Sequence, residues 1–175
     1  NQGKHVWLLD FRDIVFQADP FSALTGDTLQ AYQIQDTKFD DCDWHVDRFQ
    51  KFLKNESIEP LRGKPVVCTG TLGGSVDLVI LYLQKMTKLI QISHITTSGG
   101  DQVLHNVAVH TKLAPETHCY ENGKGGVLTL HNTNKSILKF NFFRKLVDAD
   151  NKVIPIIHQY DRQPKLRKIL LKKYT

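Results

Sequence analysis

The sequence predicts an α/β domain with a mixed sheet flanked by helices, and three observations carry that reading. Short apolar runs of strand length are interspersed with segments whose apolar residues recur at helical spacing. The two kinds of segment do not alternate strictly, which argues against an all-parallel βαβ array. Apolar content of 41% and charged content of 23% are ordinary for a globular protein, and 175 residues suffice for one domain with a real core.

Taken in order, residues 5–10 read as a strand, with 13–17 as its continuation after an acidic bend. Asp19-Pro20-Phe21 starts a turn or short helix. Residues 22–43 are polar and irregular, with weak strand character at Leu29–Gln33. From Asp43 to Leu53, the spacing of Trp44, Val46, Phe49, Phe52 and Leu53 predicts a helix. Lys64–Cys68 reads as a short strand, followed by a glycine turn over residues 69–74. Ser75 suits the N-cap of a helix reaching about Gln91, whose apolar residues Val76, Val79, Ile80, Leu83, Met86, Leu89 and Ile90 keep the 3.6 period. Ser98-Gly99-Gly100-Asp101 opens another helix, from Asp101 to about Lys112. Strands are expected at 125–130, 137–141 and 153–158, with a turn at Asp148–Lys152.

No apolar run approaches the roughly 18–20 residues that cross a bilayer. The opening Asn1-Gln2-Gly3-Lys4 lacks the character of a signal peptide, and without an initiator Met the chain is expected to begin inside a longer protein. The formal charge of +5 is concentrated near the end. Arg162, Lys165, Arg167, Lys168, Lys172 and Lys173 occur there without an acid, and removing these six leaves the remainder at −1. Residues 163–175 are therefore separated as a basic, helical tail, which suits phosphate, nucleic acid or an anionic surface as well as a solvated helix end. Cys42, Cys68 and Cys119 form neither a zinc pattern nor a disulfide framework. Asn55-Glu56-Ser57 and Asn134-Lys135-Ser136 are glycosylation sequons by pattern alone.

The chemistry concentrates at Asp10 and Asp13. An apolar strand that ends in carboxylates is where open α/β sheets place ligand sites, and two carboxylates on a tight bend suit a divalent cation. Asp13, Ile14, Val15, Phe16 and Pro20 also keep a particular spacing: acid, two apolar residues, aromatic, three variable residues, proline. Further along come the Gly70-Thr71-Leu72-Gly73-Gly74 run, the pair Asp101-Gln102 with Asn106 a turn later, and His158-Gln159-Tyr160-Asp161-Arg162. Taken in this order over about residues 5–162, the segments resemble the nucleotide-sugar-dependent glycosyltransferases of the GT-A class.

That resemblance implies a GT-A-like catalytic domain over residues 1–162, lacking the first βαβ units that bind the nucleotide base. The family's Asp-x-Asp motif becomes Asp10-Phe11-Arg12-Asp13 here, with one residue inserted. Asp13 then stands as the ligand of Mn²⁺ or Mg²⁺, Asp10 assists, and His158 is a further ligand, as in glycogenin-like members. Arg12 and Arg162 would meet phosphate, the turn with Gly70, Thr71 and Gly73 would floor the donor pocket, and Asp101 and Gln102 would contact sugar or acceptor as catalytic residues. The implied reaction moves a hexose or pentose from a nucleoside diphosphate donor to a hydroxyl of a glycan, lipid or protein, in a secretory lumen or a bacterial cytoplasm. Nucleic acid is not an expected partner.

Plainer roles stand beside these: a strand-to-helix turn at the glycines, an N-cap at Asp101, a strand-end cap at His158, and core packing for Trp44, which with His45 otherwise lines an acceptor groove. A non-catalytic carbohydrate-binding or scaffold protein of the same fold is the alternative function. A haloacid-dehalogenase-like phosphatase would place a nucleophile at Asp10, but Arg12 replaces its acid/base Asp.

Overall fold

The computed structural model describes residues 4–111, 113–131, 133 and 138–174. The Asn134-Lys135-Ser136 sequon and Lys112 lie outside them. The architecture is α/β with mixed sheets. Nine strands are found among these residues: β1 (His5–Leu9), β2 (Ile14–Phe16), β3 (Leu29–Lys38), β4 (Pro65–Ser75), β5 (Thr117–Tyr120), β6 (Val127–Thr129), β7 (Lys139–Phe140), β8 (Leu146–Val147) and β9 (Ile156–His158). Four α-helices accompany them: α1 (Asp43–Phe52), α2 (Val76–Ile92), α3 (Gly100–His110) and α4 (Pro164–Tyr174). No helix among the described residues is long and apolar enough to cross a membrane.

The larger sheet has the order β1-β4-β3-β5, antiparallel except where β3 meets β5. A second sheet, β2-β9-β6, pairs β2 antiparallel and β6 parallel to β9. Strands β7 and β8 form a separate hairpin. Residues 10–13 pass from the edge of the first sheet to the edge of the second. Leu9 is in register with Thr71, the Asp10 N–H donates to the Gly70 carbonyl at 3.0 Å, and Ile14 is in register with His158. Both ends of the acidic bend are thus tied to ladders.

The main core lies between the first sheet and α1–α3, around Phe39, Phe49, Val67, Leu72, Val103 and Leu104. A second core gathers Leu128, Leu130, Leu146, Ile157, Leu166 and Leu170 beneath α4. Tyr32 joins the two sheets: fully buried, it stacks on Tyr120 at 5.4 Å, packs with Val127 and Ile156, and shares its one hydroxyl proton between Gln30 Oε1 at 3.0 Å and the Gly125 carbonyl at 3.1 Å.

Several expectations need correction. The expected glycine turn at 69–74 is the second half of one eleven-residue strand, β4. Its glycines serve close packing: a Cβ on Gly73 would meet Leu24 and Trp7, and one on Gly74 would meet Leu29. The polar stretch expected to be irregular contains β3, ten residues long, because pairing with β4 on one side and β5 on the other outweighs its weak local preference. Helix α3 begins at Gly100, and its N-cap is Gly99 at φ +86°, so Asp101 lies inside the first turn rather than capping it. On α2, Val79, Tyr82, Met86 and Leu89 are buried, whereas Val76, Ile80, Leu83 and Ile90 remain exposed. Ser75 does cap α2, its hydroxyl accepting from the Leu78 N–H at 3.4 Å. The basic tail is helical as α4.

Candidate metal centre

The bend after β1 delivers Asp10 and Asp13, and β9 ends at His158 directly beside them. His158 Nε2 lies 3.1 Å from Asp10 Oδ2 and 3.7 Å from Asp13 Oδ1. One ligand atom from each of the three falls within 4.8 Å of the others. The side chains grade from solvent inward: Asp10 is half exposed, Asp13 is 16% exposed and His158 is fully buried. Three protein ligands with an open outward side suit a cation that also binds a substrate.

Local structure fixes each group. The Gln159 N–H donates to the Asp13 carbonyl at 2.8 Å, extending the β2–β9 ladder past His158. Gly70 stands against Asp10 so closely that a Cβ there would overlap the carboxylate. On the far side of the ring, His158 Nδ1 lies 3.3 Å from Thr129 Oγ1 and 3.6 Å from Cys68 Sγ. A hydroxyl donates or accepts. Thr129 therefore holds the ring both when Nε2–H donates to Asp10 and when Nε2 offers a lone pair to a cation and Nδ1 carries the proton. Burial pushes the Cys68 thiol up to about 12, so it stays protonated beside the ring.

Asp13 has its carboxyl pKa raised above 3.8, first by burial and then by the negative charges of Asp10 and Asp161, against an opposing pull from His158. A site that raises the cost of its own carboxylate charge gains most from a cation placed there.

Two cavities adjoin the cluster. One, of about 590 Å³, is lined by Asp10 and Asp13 and by the guanidinium residues Arg12, Arg162 and Arg167. Phe11, 99% exposed, stands at its rim. The other, of about 530 Å³, shares Asp10, Gln159 and Arg162 and extends past Gly70, Thr69 and Gln102 to Trp44 and His45. Gln159 is held in the left-handed region at φ +55° between the two, and its side-chain oxygen is buried without a hydrogen-bond partner among the described residues.

The structure brings Asp10, Arg12, Asp13, Gly70, His158 and Arg162 together. Thr71 is fully buried within β4, and Gly73 packs behind Trp7 and Leu24. Gln102 lines the second cavity, but its amide is committed to β4, accepting from the Thr69 N–H at 2.9 Å and donating to the Val67 carbonyl at 2.6 Å. Asn106 completes this clamp at Val67. Asp101, one residue before Gln102, is exposed and lines neither cavity. Trp44, at 40% exposed, is a cavity wall with the Arg48 guanidinium 3.8 Å from its ring centroid rather than a core residue.

Sequence reasoning missed Thr129, Cys68 and Arg167. The first two act on His158 through strand pairing, which leaves no local signal. Arg167 belonged to the basic tail, and the short 3₁₀ turn Tyr160–Arg162 that precedes α4 is what puts it beside the cavity. No protein-family model matches this chain, and no curated protein or solved structure is significantly similar to it.

Proposed function

We propose that this chain is a metal-dependent glycosyltransferase, which moves a sugar from a nucleoside diphosphate donor to a hydroxyl acceptor. The observation that carries the reading is the pairing of opposite charges along one cavity: Asp10 and Asp13, with His158 buried behind them, on one wall, and Arg12, Arg162 and Arg167 beside them, Arg162 near Asp161 at 3.6 Å. A cluster of acids alone suits a cation, and a cluster of arginines alone suits an anion. Their juxtaposition suits a cation and a polyphosphate bound together.

The donor set fits Mn²⁺ or Mg²⁺, since two carboxylate oxygens and one imidazole nitrogen are hard-to-intermediate ligands. Asp10, Asp13 and His158 would hold the ion, and the ion would supply Lewis-acid stabilisation of the departing diphosphate. Everything else rests on the chain's own groups. The three guanidiniums neutralise phosphate charge and restrict its orientation, which lowers the cost of the charge that develops on the leaving group. Thr129 holds the His158 ring in plane. Gln102 positions Thr69 in the wall of the second cavity, and the unpartnered Gln159 oxygen accepts a hydrogen bond from a ligand hydroxyl. Trp44, with Arg48 stacked over its ring, walls the far end of the second cavity. In this reading the donor occupies the charged cavity and the adjoining one takes the sugar and the acceptor. The GT-A fold assignment belongs to the same proposal, supported by the Asp13-to-Pro20 spacing and by the acidic strand end.

Calorimetric titration of UDP and of GDP, with and without Mn²⁺, tests the proposal on the wild-type chain and on Asp13→Asn. Binding of at least one nucleotide that requires Mn²⁺ and disappears in Asp13→Asn is the expected result. Nucleotide binding indifferent to Mn²⁺ and to Asp13→Asn would contradict it.

A further inference from the structure

A second feature lies away from this site, at the tip of the β7–β8 hairpin. The Asn141 N–H donates to the Lys145 carbonyl at 2.9 Å, and the Arg144 N–H donates to the Asn141 carbonyl at 2.9 Å. Phe142, Phe143 and Arg144 therefore form a three-residue loop, with Arg144 in the left-handed region at φ +54°. Such loops ordinarily carry small polar residues and a glycine or asparagine at the left-handed position. Here Phe142 is 94% exposed and Phe143 70% exposed. The two rings meet edge to face at 5.5 Å, forming one apolar knob.

The knob is held rigidly. Gln17, itself buried, accepts from the Leu146 N–H at 2.9 Å and donates to the Leu146 and Ile154 carbonyls at 3.1 and 2.9 Å, pinning the hairpin to the end of β2. The Lys173 ammonium donates to the Phe143 carbonyl, which brings the C-terminal end of α4 against the loop. Leu166 and Leu170 bury one face of α4. Lys139 and Arg144 are exposed on the hairpin itself, beside the rings. Neither α4 nor the stretch from Lys139 to Lys145 contains an acid.

We propose that the Phe142–Phe143 tip, with Arg144 in the same loop, Lys139 at its base and the Lys173 ammonium on the Phe143 carbonyl, forms a docking surface for an anionic phospholipid membrane. Exposed aromatic rings on a hairpin that also carries cations are the combination that an interface rewards: rings settle at the headgroup boundary while the cationic groups meet lipid phosphate and carboxylate. A soluble acidic partner would satisfy the cations and leave the two rings in water. This surface stands independently of the metal cluster.

Sedimentation of the whole chain with vesicles tests this, using phosphatidylcholine alone and phosphatidylcholine mixed with phosphatidylserine. The chain pellets with the serine-containing vesicles, far less with the others, and less as salt rises. The Phe142→Ser/Phe143→Ser double variant partitions at least about tenfold more weakly. Lys139→Glu/Arg144→Glu loses about fivefold or more per cation. Both keep the wild-type far-ultraviolet circular dichroism. As a second readout, Phe142→Trp adds a fluorophore whose emission shifts to the blue on the anionic vesicles. The proposal is overturned by no pelleting with anionic vesicles at low salt, or by pelleting unchanged in the folded phenylalanine variant. Retention on heparin that ignores the phenylalanines, without vesicle binding, would equally overturn it in favour of a soluble polyanion.

Discussion

Gly70 and the Asp10 carboxylate share a volume that only a residue without a side chain leaves free, since a Cβ on Gly70 would lie inside the carboxylate. The consequence separates stability from function. Asp10 is half exposed and swings outward at little cost, and alanine in a strand regains roughly 0.5–1 kcal/mol of backbone entropy relative to glycine. Gly70→Ala should therefore fold as well as wild type by thermal melting. It should bind Mn²⁺ about tenfold or more weakly by calorimetry, although no ligand has been removed.

Asp13 carries the opposite signature to an ordinary ion-paired acid. Its pKa is raised in the fold, so its favourable contribution is complete below the unfolded value of 3.8 and is lost as pH rises through the higher folded value. At neutral pH the ionised carboxylate is then a cost in the metal-free protein. Asp13→Asn should leave the melting temperature near pH 7 unchanged or higher while Mn²⁺ binding disappears. A melting temperature well below wild type would identify Asp13 as a structural residue instead.

Asn106 and Gln102 hold the middle of β4 from the side of α3. Asn106→Ala leaves the buried Val67 N–H without its partner, a loss on the order of 2–4 kcal/mol with the accompanying carbonyl contact. Gln102→Ala should cost about 1–2 kcal/mol, because the Val67 carbonyl keeps its bond from Asn106. Urea unfolding of both variants checks the order. In Gln102→Ala, any loss of nucleotide binding beyond the loss of folded protein would show that the Thr69 backbone it holds shapes the second cavity.

His45 and His105 make the fold acid-sensitive. Burial, and then the Arg48 charge, pushes His45 down to about 4, and burial pushes His105 to about 3. Both are neutral in the fold and take up protons on unfolding once pH falls below 6.5. The stability they confer is present above that value and is lost as pH drops, through about 4 for His45. His45→Phe should flatten the decline of melting temperature between about pH 6.5 and pH 4. An identical slope would remove His45 from the acid response.

The parts of the fold legible in the sequence are those with local signals. The acidic bend, the Asp43–Phe52 helix and the Ser75 cap of α2 follow from apolar spacing and capping chemistry. The length of β3 and the second half of β4 were hidden for a common reason. Gln30 is buried because the Thr25 carbonyl and the Tyr32 hydroxyl satisfy its amide, and Gly70, Gly73 and Gly74 make room for side chains far away in sequence. Such polar and glycine residues read locally as loop, and only tertiary packing turns them into strand. The same limit applies at the site. Asp10, Asp13 and His158 could be assembled from motif order, whereas the hold of Thr129 and Cys68 on the imidazole exists only once β6, β4 and β9 meet.

Mn²⁺ titration followed by electron paramagnetic resonance tests directly whether Asp10, Asp13 and His158 bind a divalent cation, on the whole chain and on Asp13→Asn, His158→Ala and, as a control away from the cluster, Asp101→Asn. Loss of the free Mn²⁺ signal at one equivalent in wild type and Asp101→Asn, but not in Asp13→Asn or His158→Ala, is the expected result. A free Mn²⁺ signal undiminished by the folded wild-type chain would contradict the account.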